Sequence, residues 1–381
     1  LQRPAVAEEK AIRGGTQSIV DHVRSDGDLA LFSLTEKFYK AKLAELKVPQ
    51  SEIVAAEAAL TSSQLAAIDL AIDNVRRFHK AQVSATVRVE TMPGVLCERM
   101  SRPIDAVGLY VPAGTAPLPS AAIMLAVPAA IAGCPTRILC TPPRPDGTAD
   151  PAVLIAASRA GVEAIYKVGG AQAIAAMAYG TESVPKVCKI FGPGNAWVTC
   201  AKTLVSTDTE GAAIDMPAGP SEVLVIADAD ASAEFVASDL LSQAEHGVDS
   251  QVVLLTTSSE LAEQVATELD AQLALLSRAE IAAAALANSR IIVVDDLDTA
   301  IDVSNAYAPE HLILQVADAR GLVSRVSNAG SVFVGPWTPE SAGDYCSGTN
   351  HVLPTYGYAR AWSGLGVDQF VRQMTVQELS R

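Results

Sequence analysis

The spacing of apolar residues divides the chain into a helical first part and a later part of alternating strands and helices. Residues 5–40 and 50–82 repeat apolar positions with the period of an amphipathic helix. Asp26-Gly27-Asp28 interrupts the first stretch, and Thr61-Ser62-Ser63-Gln64 has the residues of an N-terminal capping box. Residues 86–100 alternate about a central Pro-Gly pair, which predicts a β-hairpin.

From residue 106 onward, short apolar runs are followed by glycine or proline and then by a helical pattern. The helices include Ala231–Glu245 and Leu261–Leu275. The predicted strands are Val107–Val111, Arg137–Thr141, Ala164–Val168, Lys189–Phe191, Val223–Ala227, Val252–Thr256, Ile291–Val294, Leu312–Gln315 and Ser331–Val334. Such alternation is typical of parallel sheets covered by helices on both faces. The pattern therefore predicts an α/β fold with two Rossmann-like doubly wound domains, joined near residues 218–221.

Charge and composition narrow the range of partners. The net charge is -15, and an acidic protein lacks the basic face that nucleic acids or anionic membranes require. Residues 106–136 carry no charge, but five prolines and several glycines interrupt them, so they predict a folded core rather than a membrane span. No secretory or transit segment is recognisable in the opening residues.

The cysteines indicate a reducing compartment. Six cysteines are present and none forms a C-x-x-C pair. Cys134, Cys140 and Cys188 lie in or beside apolar runs, where buried reduced thiols are common. We therefore expect no disulfide framework and a cytoplasmic location.

Three glycine-containing turns follow predicted strands. They are Tyr110–Gly114, Gly169–Gln172 and Gly192–Asn195. Turns of this kind can direct backbone N–H groups and a helix N-terminus at a pyrophosphate, and ligands of open α/β sheets bind beyond the carboxyl ends of the strands. None matches G-x-G-x-x-G, however, and each alone is also an ordinary strand-to-helix turn.

Three of the five histidines lie in short polar clusters. Gln243 and His246 share one face near the end of a predicted helix. A metal ion is electrostatically reasonable there, although a histidine capping a free carbonyl is the simpler explanation. The other two histidines, His22 and His79, lie among charged residues, which predicts solvated helix faces.

The second cluster is Glu310-His311, at the entry to a predicted strand. The two side chains could supply a general acid and a general base. Adjacent residues of an extended chain point to opposite faces, so both reach one substrate only if the local backbone is irregular. A surface pair leading into a buried strand is the alternative.

The third cluster runs from Asp344 to His351 within a stretch of small residues and glycines. That composition predicts a loop, and loops on rigid scaffolds often carry function. Asp344 and His351 are both suitable metal ligands, although a polar turn would have the same residues.

Longer motifs resemble those of the histidinol dehydrogenase family over essentially the whole chain. They are Phe191-Gly-Pro-Gly-Asn195, Ile214-Asp-Met-Pro-Ala-Gly-Pro-Ser-Glu222, Asp239-Leu-Leu-Ser-Gln-Ala-Glu-His-Gly247, Pro309-Glu-His311, Gly343-Asp-Tyr345 and Asn350-His-Val-Leu-Pro-Thr355. The resemblance implies a zinc- and NAD-dependent enzyme that oxidises L-histidinol to L-histidinal and then to L-histidine with two NAD, the last steps of histidine biosynthesis.

The resemblance also implies a role for each cluster. Gln243, His246 and Asp344 match zinc ligands that also contact the substrate. Glu310 and His311 match the catalytic pair, with His311 touching the substrate. Further matches are substrate contacts at Ser221 and His351 and NAD contacts at Tyr110, Gln172 and Asn195.

The resemblance further implies a homodimer with helical terminal extensions that are largely absent from this chain. In the family, a C-terminal arm brings a fourth zinc ligand, a histidine, and a substrate-contacting glutamate to the neighbouring subunit's site. We therefore assign residues 1–109 and 221–365 to a first domain with the zinc and catalytic residues, 110–220 to a second domain on the NAD side, and 366–381 to the start of a truncated helical arm. Leu1 at the start of the sequence favours a trimmed chain.

Three other functions share parts of this pattern. A relative could use the same zinc and NAD apparatus on another alcohol, such as a sulfonated diol. A zinc hydrolase could use Glu310 to activate a metal-bound water. A truncated dinucleotide-binding protein would have no catalysis at all.

Overall fold

The computed structural model describes Arg3 and residues 9–113, 117–217, 219–345 and 347–380, without the side chains of residues 9 and 10. The helices are α1 (Glu9–Tyr39), α2 (Gln50–Ala59), α3 (Ser62–Lys80), α4 (Pro119–Ala132), α5 (Pro151–Arg159), α6 (Gly170–Tyr179), α7 (Ala196–Ser206), α8 (Ala233–Ala244), α9 (Ser259–Leu273), α10 (Ala279–Ala287), α11 (Leu297–Tyr307), α12 (Ala319–Leu322) and α13 (Glu340–Tyr345).

The strands confirm both predicted series, with ends that differ by one residue at most. They are β1 (Val87–Met92), β2 (Val95–Pro103), β3 (Ala106–Tyr110), β4 (Thr136–Thr141), β5 (Ala164–Lys167), β6 (Lys189–Phe191), β7 (Ala213–Ile214), β8 (Glu222–Ala227), β9 (Gln251–Thr256), β10 (Arg290–Val293), β11 (His311–Gln315), β12 (Ser331–Val334) and β13 (Val371–Leu379). Short 3-10 helices occur at Val323–Arg325, Tyr358–Arg360 and Val367–Phe370.

The described residues form two compact units. The smaller unit comprises Arg3, the described residues of Met216–Tyr345, and Leu353–Gly364. The larger unit comprises the described parts of residues 9–215, 347–352 and 365–380. Each unit contains one five-stranded parallel sheet, as expected for two Rossmann-like α/β domains.

The smaller unit has the strand order β10-β9-β8-β11-β12. Successive residues of β8 enter cores on opposite faces, because side chains alternate along a strand. Val223 and Val225 pack with α8, α9 and α10, whereas Leu224 and Ile226 pack with α11. A strand buried on both faces is continuously apolar, which is why the sequence indicated it so clearly.

The larger unit has the strand order β5-β4-β3-β6-β7. Helices α6 and α7 contact each other, and α1 packs against both; their shared core includes Leu31, Ile174 and Val198. The predicted break in α1 is confirmed, because Gly27 takes φ 54°. The capping box at Thr61 and Gln64 is present at the start of α3.

The predicted domain boundaries differ from these units. Residues 9–109, assigned by sequence to the domain of the zinc and catalytic residues, belong to the larger unit. The physical reason is the apolar face of the first three helices: α1 packs on α6 and α7, α2 on α5, and α3 on α4.

The predicted helical arm at 366–381 is also wrong for its described residues. Val371–Leu379 is strand β13, which pairs antiparallel with β2, and the hairpin of β1 and β2 completes a three-stranded sheet. The segment contains the β-branched residues Val371, Thr375 and Val376, which suit an extended chain. It pairs with β2 along its whole length, so the backbone groups that face β2 are satisfied.

Two smaller expectations concern the cysteines and the membrane. Cys134 and Cys140 are buried free thiols, whereas Cys188 is exposed; Cys346 lies outside the described residues. No single described helix is long and apolar enough to cross a membrane. Helices α2 and α3 reach the necessary length and apolar composition only when taken together, and the chain bends by 111° between them.

Candidate active site

The predicted site residues of the smaller unit lie at the amino edge of its sheet. Glu222 and His311 begin the neighbouring strands β8 and β11, and His311 lies in register with Val223. Helix α8 connects the parallel strands β8 and β9, so its C-terminus, with Gln243 and His246, returns to this same edge. The predicted site residues of this unit therefore lie at the edge opposite to the carboxyl edge, at which ligands of open α/β sheets commonly bind.

Glu310 and His311 come together as a buried pair. Both residues are at most 5% exposed, which rules out the alternative of a surface pair. A carboxylate oxygen, Glu310 Oε2, lies 3.8 Å from His311 Nδ1. On the far side of the imidazole ring, Nε2 lies 4.0 Å from Asp344 Oδ1.

An irregular backbone allows two adjacent side chains to face one space. Helix α11 ends at Tyr307, and its C-cap residue, Ala308, takes the left-handed conformation at φ 55°. Glu310 itself precedes the strand, and β11 begins only at His311. The backbone is held here by Gly330 and Ser331, whose N–H groups donate to the carbonyls of Pro309 and Glu310. The backbone is thus irregular at Glu310 and His311, as it must be if both side chains are to reach one substrate.

The hydrogen bonds of His311 identify its tautomer. Nδ1 lies 3.1 Å from the carbonyl oxygen of Glu222, and a carbonyl only accepts, so Nδ1 carries the proton of the neutral ring. The lone pair is then at Nε2, on the side of Asp344. A neutral imidazole with this arrangement can accept a proton at Nε2.

Glu222 is held in place by a buried network. Arg3 donates to both of its carboxylate oxygens at 2.7 and 2.9 Å, and Tyr307 donates from its hydroxyl at 2.9 Å. The guanidinium of Arg3 also lies 3.9 Å above the Tyr307 ring. This network fixes the strand end whose carbonyl orients His311.

Glu310 is placed where its charged form is disfavoured. Burial raises its pKa well above the usual range, and the negative charges of Glu222, Glu340 and Asp344 raise it further. The N–H of Glu222 donates to Oε2 at 3.0 Å and opposes the increase. A carboxyl group with a raised pKa is a stronger base when ionised, as general-base catalysis needs.

The predicted metal ligands on α8 have the features of an open ligand set. Gln243 is fully buried, and neither its amide oxygen nor its amide nitrogen has a hydrogen-bond partner among the described residues. His246 follows the helix, and its Nδ1 lies 2.9 Å from the Ser242 carbonyl. That bond leaves Nε2 with the lone pair that a metal ligand needs.

Asp344 lies on a helix rather than in the predicted loop. Helix α13 begins at Glu340, whose N–H donates to Asp239 Oδ1 at 3.3 Å. Three residues, His246, Glu340 and Asp344, each offer one potential ligand atom, and these three atoms all lie within 4.8 Å of one another. The structure thus brings together the clusters around 243–246, 310–311 and 344 in one unit.

Glu340 and Asp239 are two buried acids that the sequence analysis missed. Burial raises the pKa of Glu340 well above its usual range, and the charges of Asp344 and Asp239 add to the effect. Burial also raises the pKa of Asp239 to about 6, although hydrogen bonds from Glu340 and Gln315 act to lower it. The spacing of four residues from Glu340 to Asp344 could have indicated that the two carboxylates share one helix face, but only if the segment is known to be helical.

The remaining predicted substrate contacts lie in different units. Ser221 is in the smaller unit directly before β8, and its carbonyl accepts from the N–H of Gln251. His351 is in the larger unit and follows Asn350. The Asn350 amide donates to the Met124 carbonyl at 2.8 Å and lies 3.3 Å from His79 Nε2. His79 is therefore fully buried, and its predicted solvated position is wrong; His22 is 40% exposed as expected.

The predicted NAD-contacting residues lie at the carboxyl edge of the larger unit's sheet, where the strand order changes direction between β3 and β6. Gln172, in the first turn of α6, is buried and its amide nitrogen has no partner among the described residues. The Tyr110 hydroxyl instead accepts from the Gly170 N–H at 2.9 Å, and Asn195 caps α7. Gly114 of the first turn lies outside the described residues.

The turn before α7 is held by a buried ion pair. The N–H of Gly192 donates to Asp215 Oδ2, while the ammonium of Lys202 donates to the Gly192 carbonyl at 2.9 Å and pairs with Asp215. Gly192 has φ 125°, and a Cβ atom there would lie 2.1 Å from the Tyr110 carbonyl oxygen. Only glycine suits this close approach of two strand ends.

Comparisons with known proteins agree over the whole chain. A family profile described as histidinol dehydrogenase matches residues 1–381. The histidinol dehydrogenase of Vibrio cholerae is 57% identical over 380 residues, covering 100% of this chain and 87% of that protein. The crystal structure of histidinol dehydrogenase from Elizabethkingia anophelis has a TM-score of 0.94 at 46% identity, covering 99% of this chain and 89% of that one.

The fold alone is shared more widely. An acetylating aldehyde dehydrogenase from Geobacillus thermoglucosidasius has a TM-score of 0.52 at 14% identity, covering 99% of both chains. Two Rossmann-like α/β domains and the family relationship define an enzyme of the oxidoreductase class. The chain belongs to the histidinol dehydrogenase family.

Proposed function

We propose that this enzyme oxidises L-histidinol to L-histidine through L-histidinal, with NAD as hydride acceptor and zinc in the site. The observation that carries the proposal is the buried pair of Glu310 and His311, 3.8 Å apart. The same unit holds Gln243, whose buried amide has no hydrogen-bond partner in the part of the chain that the structure describes. Relatives that carry the name histidinol dehydrogenase support the choice of substrate.

The residues around Gln243 fit a zinc ion. A fully buried amide without a hydrogen-bond partner is costly, and a metal ion bound at its oxygen would remove that cost. Imidazole and carboxylate, offered by His246 and Asp344, are ligands that zinc prefers. When bound, zinc would act as a Lewis acid and chelate the amine and imidazole of the substrate, which orients the carbinol carbon.

His311 is the proposed base of the first oxidation. Its Nδ1 proton is held by the Glu222 carbonyl, so Nε2 accepts the hydroxyl proton as hydride leaves the carbinol carbon. The alcohol loses two electrons and two hydrogens, one as hydride and one as the proton on Nε2, and becomes the aldehyde. The contact of 4.0 Å between Nε2 and Asp344 allows the carboxylate to stabilise the imidazolium that forms.

Glu310 is the proposed base of the second oxidation. An aldehyde must add water before it can lose a second hydride, and the Glu310 carboxylate removes a proton from that water as the C–O bond forms. The resulting anion of the hydrated aldehyde then transfers hydride to a second NAD and becomes the carboxylic acid, which ionises to the carboxylate. The raised pKa of Glu310 makes its ionised form a better base for this step.

The support for NAD contacts is uneven among the three residues. Gln172, at the start of α6, has a buried amide nitrogen that no described residue binds and that could donate to a ligand. Tyr110 and Asn195 already bind backbone N–H groups of the protein. We therefore propose that Gln172 contacts the dinucleotide and that Tyr110 and Asn195 shape the turns beside it.

The smaller unit is thus proposed to hold the zinc and catalytic residues, and the larger unit the dinucleotide contacts. Substrate contacts at Ser221 and His351, and a homodimer whose neighbouring C-terminal arm completes the site, are proposed from the family resemblance alone. Light scattering of the protein eluting from a sizing column tests the dimer: a mass of one chain would contradict it.

A single assay separates the proposed function from its alternatives. Zinc-loaded enzyme is mixed with L-histidinol and NAD, NADH is followed by absorbance, and the product is identified by mass spectrometry. We expect two NADH for each histidine formed. A sulfonated diol oxidised in preference to histidinol would favour the other alcohol. Zinc binding without NAD affinity would favour a hydrolase, and no NADH at all would contradict the proposal.

A further inference from the structure

Glu340 is a buried carboxylate beside the proposed zinc ligands to which the sequence motifs assign no role. It is 1% exposed at the start of α13. One of its oxygens, Oε2, accepts from the Ser242 hydroxyl at 3.0 Å. The other, Oε1, is buried and has no hydrogen-bond partner among the described residues. A carboxylate oxygen in that position lacks the donor or cation that normally offsets its desolvation.

The distances allow Glu340 to serve a metal ion. Its carboxylate belongs to the group in which ligand atoms of His246, Glu340 and Asp344 all lie within 4.8 Å of one another. Oxygen and nitrogen ligands lie about 2.0–2.2 Å from zinc, so two ligands of one ion are separated by at most about 4.4 Å. Small side-chain rotations would therefore bring all three around a common centre.

The charges favour the same role. Zinc bound by one amide, one imidazole and the Asp344 carboxylate would keep a net charge of +1 beside the buried side chains of Gln243 and Glu340. A second carboxylate would neutralise that charge. Without a cation, Glu340 and Asp344 repel each other, an arrangement that costs free energy unless a positive ion lies between them.

We propose that Glu340 is a further residue of the metal site and that its Oε1 atom supplies the second negative charge to the ion held by Gln243, His246 and Asp344. The inference rests on the zinc-binding part of the proposed function. The competing explanation is structural, in which Glu340 only joins α13 to α8 through Ser242. A glutamine would keep the acceptor for the Ser242 hydroxyl but would remove the charge.

The test is zinc affinity, measured on the metal-stripped full chain by competition with a chromophoric chelator. We expect Glu340→Gln to weaken zinc binding by about 10- to 100-fold, and Glu340→Asp to recover part of the loss. The matched control is Glu263→Gln, because Glu263 is an exposed glutamate of α9 in the same unit; its affinity should equal that of the wild type.

Thermal unfolding of the metal-free proteins separates charge from structure. Removal of one of the two neighbouring acids Glu340 and Asp344 should leave the melting temperature of Glu340→Gln unchanged or raise it, whereas a structural role predicts a decrease. The visible spectrum of bound Co²⁺ is a second measurement, and we expect it to change in Glu340→Gln. Equal zinc affinities and equal Co²⁺ spectra would overturn the assignment of Glu340. A wild type that binds no zinc would overturn the metal site itself.

Discussion

His79 is a histidine whose role depends on contacts that lie far away in the sequence. Its position among Arg76, Arg77 and Lys80 suggested solvent exposure. Instead the ring is fully buried, with Nδ1 2.8 Å from the Val75 carbonyl and Nε2 beside the amide of Asn350. Burial lowers the pKa of His79, although backbone hydrogen bonds oppose the shift. The neutral ring therefore anchors the segment that precedes His351.

The lowered pKa of His79 predicts a loss of stability in acid. Stability from the neutral ring is fully present above the unfolded pKa, near 6.5, and is lost as the pH falls towards the folded pKa. In His79→Gln, urea unfolding from pH 8 to 5 should show a weaker pH dependence than in the wild type. The exposed His22→Gln is the control, and an unchanged slope in His79→Gln would contradict this role.

Glu310→Gln should separate the two oxidations. The amide keeps the shape of the side chain but cannot accept a proton from water. We expect the hydration of the aldehyde, and with it the second oxidation, to slow by about 10²- to 10⁴-fold, while the first oxidation uses His311. Rapid quenching and mass spectrometry should detect L-histidinal. Asp270→Gln, an exposed acid on α9, is the control, and equal losses of both oxidations in Glu310→Gln would contradict the division of roles.

At the scale of elements, the turn from β6 to α7 shows how a short glycine motif becomes specific. The sequence suggested a phosphate-binding turn or an ordinary connection. In the structure, Gly192 packs against the Tyr110 carbonyl, and the pair of Lys202 and Asp215 binds both of its backbone polar groups. A buried ion pair of this kind fixes a backbone conformation rather than adding much stability.

Gly192→Ala should destabilise the larger unit. An added Cβ atom would lie 2.1 Å from a backbone oxygen, and a residue with φ 125° is strained when it is not glycine. We expect a loss of at least about 2 kcal/mol in the free energy of unfolding. Gly14→Ala is the matched control, because Gly14 lies in α1 with nothing within 4 Å of its added Cβ; it should gain about 0.5–1 kcal/mol. Equal effects of the two changes would disprove the packing argument.

At the scale of the whole molecule, zinc should stabilise one unit more than the other. Every proposed zinc ligand of this chain lies in the smaller unit, and a ligand that binds only the folded form adds about 2.7 kcal/mol at one hundred times its Kd. Removal of zinc by a chelator should lower the melting temperature and increase amide exchange in α8 and α13. Gln243→Ala should show a much smaller zinc effect, and a zinc effect of equal size would contradict the ligand assignment.

Much of the fold was determined by the sequence alone, because the signals are local. Apolar runs, alternation and caps predicted both strand series, the break at Gly27 and the capping box at Thr61. The long motifs around Ser221, His246 and Glu310 indicated the family, and the profile and relatives agree. The cytoplasmic location, the dimer and NAD binding stay predictions.

Tertiary structure decided everything that depends on which distant segments meet. It placed α1 to α3 in the larger unit, paired residues 371–379 with β2 and buried His79 against Asn350. It also gathered the proposed catalytic residues at the amino edge of a sheet. It also brought Glu340 beside His246 and Asp344. None of these contacts has a local signature, because burial, hydrogen bonding and charge at a residue depend on neighbours that only the folded chain supplies.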